Sequence, residues 1–129
     1  MKPRLSMLSL LLAVACGCAN FEKNAYRTLA VTGAAENAAV RAFKQFEQQP
    51  SSPVTDQQRA QARAGHAKFV AAYDVAVDAL QEYHDAKVKN KAAAQIAIDA
   101  ALHCWRDVYD LVMLVLPPEK AAKLKEVLP

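Results

Sequence analysis

The sequence predicts an all-α protein: an antiparallel three-helix bundle with a short fourth C-terminal helix, preceded by a cleaved signal peptide. Three observations carry this expectation. Glycine occurs only at positions 17, 33 and 65 of an alanine-rich chain, which favours helix over strand. Beyond Pro3 the prolines fall in three places, Pro50 with Pro53, Pro117 with Pro118, and Pro129, and so punctuate the chain as helix ends do. Between those marks, apolar side chains recur at the three-and-four spacing of a helix face.

The front of the chain is read apart from the bundle. Lys2 and Arg4 precede Leu5 to Ala15, a run without charge. Such a run is too short for a bilayer core, which takes about 20 helical residues. A charged start, a short apolar run and small residues after it have the layout of a secretory signal, so residues up to 15 or 17 are left out of the core. In "AVACGCAN" small residues stand directly before Cys16 and again before Cys18.

Four helices are expected in the remaining chain, over about 21–48, 55–88, 91–116 and 119–128. The first has Tyr26, Leu29, Gly33, Val40, Phe43 and Phe46 as its stripe, with Glu36 and Asn37 weakening it. "QQPSSPVT" ends it, and Thr55 with Gln58 three residues on has the form of a capping box for the second. That second helix, of about 33 residues and about 50 Å, carries Phe69, Val70, Tyr73, Ala76, Val77, Leu80 and Tyr83 on its apolar face. Asp74, Asp78, Glu82 and Asp85 lie off that face. A break is expected at "KVKNK", where Asn90 suits either a left-handed C-cap or an N-cap. The third helix presents Ile98, Ala101, Leu102, Trp105, Val108, Tyr109, Val112, Val115 and Leu116. Its end, "LVMLVL", is apolar on every side and needs a further neighbour, which the last segment with Ala121, Leu124, Val127 and Leu128 could supply by folding back. A dimer contact is the rival way to cover it.

Composition excludes more functions than it indicates. Without Lys2 and Arg4 the chain has 14 basic residues against 13 acidic ones, which is not the charge of a nucleic-acid binder. His66 and His84 are eighteen residues apart on one helix, about 27 Å, too far to share a metal, and each is expected to be half-buried with a hydrogen bond. His103 and Asp107 have a spacing that can seat a metal but lack a third ligand in the pattern, so no metal is assigned. Cys104 is expected as a buried free thiol, because its height on the third helix keeps it from the early cysteines. No phosphate loop, paired zinc cysteines or nucleophile elbow is present in the sequence, and no enzymatic activity is expected.

Two charged features point to contacts. If the first helix rises from a membrane and the second descends, Lys87, Lys89 and Lys91 return to the bilayer beside Lys23 and Arg27, where basic groups contribute about 1 kcal/mol each against an anionic leaflet. A solvated turn is the plain alternative. The acidic row from Asp74 to Asp85 would be relieved by Lys or Arg of a neighbouring helix or by water, or else by a basic partner.

The small residues before Cys16 and Cys18 resemble the lipobox of bacterial lipoproteins, and "GCAN" followed by "NAYRTLAVTGAAENAA" resembles small Ala-rich lipoproteins of Gram-negative bacteria and their phages or prophages. The resemblance implies lipidation, at Cys18 because Gly17 precedes it, which makes residues 1–17 the signal and 18–129 one helical periplasmic domain, or alternatively at Cys16. It implies a diacylglyceryl thioether and an amide-linked acyl chain on that cysteine, and no other cofactor. Neither Ala19 nor Gly17 is the Asp of inner-membrane retention, so the periplasmic face of the outer membrane is the implied place. The implied role is a non-enzymatic envelope module acting through a protein partner or the membrane, with a phage-derived receptor-blocking or lysis accessory as the alternative. A small-ligand or metal-binding bundle comes third, and the oligomeric state stays open.

Overall fold

A computed structural model of the chain describes the backbone of residues 3–128 and the side chains of residues 20–128. It holds four helices, α1 (Pro3–Glu47), α2 (Asp56–Asp85), α3 (Lys91–Val115) and α4 (Pro118–Val127). The three long helices pack together and α4 folds back at one end, docking on α1. The segment 1–17 expected as a signal and both candidate lipidation residues, Cys18 and Cys16, lie outside the described side chains. The helical backbone of α1 nevertheless starts at Pro3, well before the expected position 21. The Leu, Ala and Met of the early run are strong helix formers, and among the described side chains Phe21 packs against the bundle.

Each boundary has a local cause. Thr55 forms the expected capping box, accepting from the Gln58 amide at 3.1 Å while Gln58 Oε1 accepts from the Thr55 amide at 2.9 Å. The turn before it places Ser51 at φ 62°, the left-handed region. Helix α2 ends at Asp85, three residues before the expected 88, because Lys89 donates its ammonium to the Tyr83 and His84 carbonyls at 2.7 and 2.6 Å. Asn90 then serves as the N-cap of α3, its side chain accepting from the Ala93 amide at 3.2 Å, so the C-cap alternative is not the one used. Pro118 occupies the first turn of α4, where its missing N–H costs nothing.

The buried face of α1 is Ala25, Leu29, Thr32, Ala35, Glu36, Ala39, Phe43 and Phe46. Two expectations change here. Tyr26 is 39 % exposed and Ala25 takes the buried position, because small alanines let the helices approach while the larger ring stays at the margin. Glu36, expected to interrupt the stripe, is 1 % exposed and belongs to it. On α2, Phe69, Ala76, Leu80 and Tyr83 are buried, whereas Val70 and Val77 lie on an exposed border. On α3 the buried residues are Ala94, Ile98, Ala101, Val108 and Val112.

The apolar core divides in two. One cluster, around Phe43, Phe46, Phe69, Val108, Val112, Leu116 and Leu124, fills the end where α1 meets α2 and α4 returns. The other, around Leu29, Ala76, Leu80, Tyr83 and Ile98, fills the end near the α2–α3 turn. Tyr73 packs against both. Fully buried Leu29, Leu80 and Val112 each contribute about 1.5–3 kcal/mol relative to exposure. Leu124 of α4 joins Val112 and Leu116 in the first cluster, and Lys120 of α4 lies 5.6 Å from the centre of the Phe46 ring. Leu114 is left 81 % exposed. Among the described residues no helix is long and apolar enough to cross a membrane.

Candidate functional site

Two regions of the bundle gather polar chemistry, one at each end. The first is the basic end around the α2–α3 turn. Antiparallel packing of α1 and α2 brings Glu22 beside His84, the ring Nδ1 and carboxylate Oε1 2.5 Å apart. Phe21 meets the Tyr83 ring edge-on at 5.3 Å, and the Lys91 ammonium lies 5.0 Å over the Phe21 ring. Lys89 closes the C-terminus of α2 and lies 5.3 Å over Tyr83. The structure therefore gathers Phe21, Lys89 and Lys91 at one end, with Lys87 and Lys23 exposed nearby in the chain. Arg27 is exposed as well, almost two turns further along α1 from Phe21. Lys89 and Lys91 have partners in the protein; Lys87, Lys23 and Arg27 have none among the described residues.

The second region was not anticipated as a site. Glu36 of α1 and His66 of α2 meet at 2.5 Å, Nδ1 to Oε1, with the carboxylate side chain 2 % exposed and the imidazole 42 %. Held by that bond, His66 presents its other nitrogen, Nε2, without a protein partner among the described residues. The histidine lines a groove of about 410 Å³ between α1, α2 and α3. Phe43, Leu111 and Val112 form part of its apolar wall, and Lys44, Arg59 and Arg63 stand along it. Glu47, an acid on the same wall, is taken by Arg59 at 3.0 Å. Two further open hollows, of about 420 and 540 Å³, continue along the α1–α2 seam on either side of His66.

Signals for this region did exist. Glu36 lies eleven residues before the end of α1 and His66 ten after the start of α2, so a helical hairpin puts them opposite one another. Glu22, twenty-five residues before the end of α1, and His84, twenty-eight after the start of α2, follow the same rule to within a turn.

The remaining candidates stand apart. His103 and Asp107 are 3.8 Å apart on the solvent face of α3, and no group of three or more His, Cys, Asp or Glu able to hold a metal occurs among the described residues. Cys104 is a half-buried free thiol packed against the first core cluster. Asp74, Asp78, Glu82 and Asp85 are all exposed; Asp85 accepts from Gln81 at 3.1 Å, and none of the four has an ion pair among the described residues. Water, and not a neighbouring lysine or arginine, faces this row in the isolated chain. Comparison with protein families, with curated proteins and with solved structures finds no match to this chain.

Proposed function

We propose that this protein is a lipid-anchored, non-enzymatic module of the periplasmic face of the outer membrane, tethered through Cys18, with Cys16 as the alternative, and acting through contacts with an envelope partner. The observation that carries this reading is the placement of Phe21. Three residues after Cys18, its ring packs on Tyr83 and receives Lys91, so the folded bundle begins almost where the anchor would end. A tether that short keeps the α2–α3 turn, with Lys87 exposed on it, close to the headgroups. The acyl chains supply the affinity at about 0.8 kcal/mol per buried CH₂, and two or three chains hold for practical purposes permanently.

The test is the intact mass of the membrane-extracted protein beside its Cys16→Ala and Cys18→Ala variants. A mature chain starting at Cys18 and carrying acyl chains, lost only in the Cys18 variant, is the expected result. An unmodified chain in all three would overturn the anchor and the membrane-facing role of the turn with it.

A further inference from the structure

We propose that the groove beside His66 binds a single-chain anionic amphiphile, a medium-length alkyl carboxylate, with its tail along the apolar wall and its headgroup between Lys44 and Arg63. This goes beyond the anchoring role and does not depend on it.

Charge complementarity argues for the occupant. The one acid on this wall, Glu47, is already neutralised by Arg59 at 3.0 Å, whereas Lys44 and Arg63 have no acidic partner among the described residues. Two cations therefore stand uncompensated at the edge of an apolar hollow. An arginine fork suits a carboxylate in two-point contact, and a lysine adds a mobile point charge. The tail's environment is equally defined: Phe43 and Val112, both in the first core cluster, back the groove. At about 410 Å³ it lies in the range of small-molecule pockets, which pair apolar walls with a few fixed polar groups. His66 is one such fixed group. Buried Glu36 accepts from its Nδ1–H, so the ring cannot turn freely and stands fixed at the edge of the groove. A neutral alcohol would find the same walls but nothing for the two cations to do.

Trp105, the only tryptophan, lies three residues from Val108 of the groove, about 4.5 Å along the helix axis, and so reports on an occupant. The experiment uses the full chain as its host processes it, in phosphatidylcholine nanodiscs where it carries lipid and in buffer where it does not, and follows energy transfer from Trp105 to a dansyl-tagged undecanoate. Saturable transfer, displaced by decanoate at least about tenfold more effectively than by decanol, is the expected result. The Lys44→Gln/Arg63→Gln double variant should weaken decanoate by about tenfold or more and leave decanol unchanged. Lys44→Arg/Arg63→Lys, which keeps both charges, should restore most of the difference, and a circular-dichroism melt on each variant separates lost binding from lost folding. Transfer that does not saturate, equal displacement by acid and alcohol, or a folded double variant that binds decanoate like the wild type would overturn the proposal. None of these outcomes bears on the mass of the anchored chain.

Discussion

Glu36 is the residue at which the bundle departs most from a simple apolar seam. A carboxylate 1 % exposed must find a donor, because a buried polar group left without one costs about 1–3 kcal/mol. His66 is that donor, reaching in from a half-exposed position at 2.5 Å. His66→Ala is therefore expected to lower stability by about 1–3 kcal/mol in urea denaturation. Glu36→Leu, which removes the buried group together with its need for a partner, should cost less than that. A His66→Ala protein as stable as the wild type would show that the carboxylate does not depend on the ring. The sequence pattern registered Glu36 only as a flaw in a stripe, since periodicity scores each helix alone. The pairing becomes legible when two helices are folded about their common loop, as the near-equal distances of Glu36 and His66 from it show. The large Tyr26 ring fits the apolar spacing of α1 as well as its neighbour does, yet Ala25, 5 % exposed, is the residue that lets the helices close.

Close approach also explains one of the two glycines whose surroundings are described, Gly33 and Gly65, both in helix interiors where glycine costs about 1 kcal/mol against alanine. A Cβ on Gly65 of α2 would come to 3.4 Å from Val108 Cγ2 of α3, an ordinary contact. One on Gly33 of α1 would meet the Tyr73 hydroxyl at 3.2 Å and its ring at 3.3 Å, so the tyrosine must move to admit it. Gly65→Ala is thus expected to stabilise the protein by about 0.5–1 kcal/mol. Gly33→Ala should gain less or lose outright, since Tyr73 is the side chain that joins the two halves of the core. Thermal melts of the two variants side by side check this, and a Gly33→Ala gain equal to that of Gly65→Ala would refute the role given to Tyr73. At this scale the helix boundaries were legible because they are written in local chemistry. The Thr55–Gln58 box, Asn90 and the proline pairs each act within a few residues. The end of α2 falls three residues before its expected place because its stop comes from a lysine four positions further on, which reaches back to carbonyls already passed.

Across the whole molecule the two ends differ in character: one cluster of the core opens into a groove beside Lys44 and Arg63, and the other is closed by the turn bearing Lys87, Lys89 and Lys91. The number, order and antiparallel sense of the helices could be read from the chain, whereas the groove could not, because it is made by residues from three helices. The lysines of the turn share one charge but have different duties. Lys89 satisfies the Tyr83 and His84 carbonyls, two of the orphan acceptors at the C-terminus of α2, so Lys89→Gln should cost about 0.5–1 kcal/mol in any solvent. Lys87 is exposed and has no such partner, and its replacement by Gln should leave stability within about 0.5 kcal/mol. On a membrane the order reverses. If the anchored bundle stands on this end, hydrogen exchange of the backbone amides of residues 86–90 should be slower on vesicles containing phosphatidylglycerol than on phosphatidylcholine alone. Lys87→Gln should remove most of that difference, worth about fivefold for one basic group near an anionic surface. Lys89→Gln should instead speed exchange around the last turn of α2 on both kinds of vesicle, because its loss is internal to the fold. Equal exchange on the two lipids for the wild type would mean that the turn faces water and that the bundle does not lean on the surface.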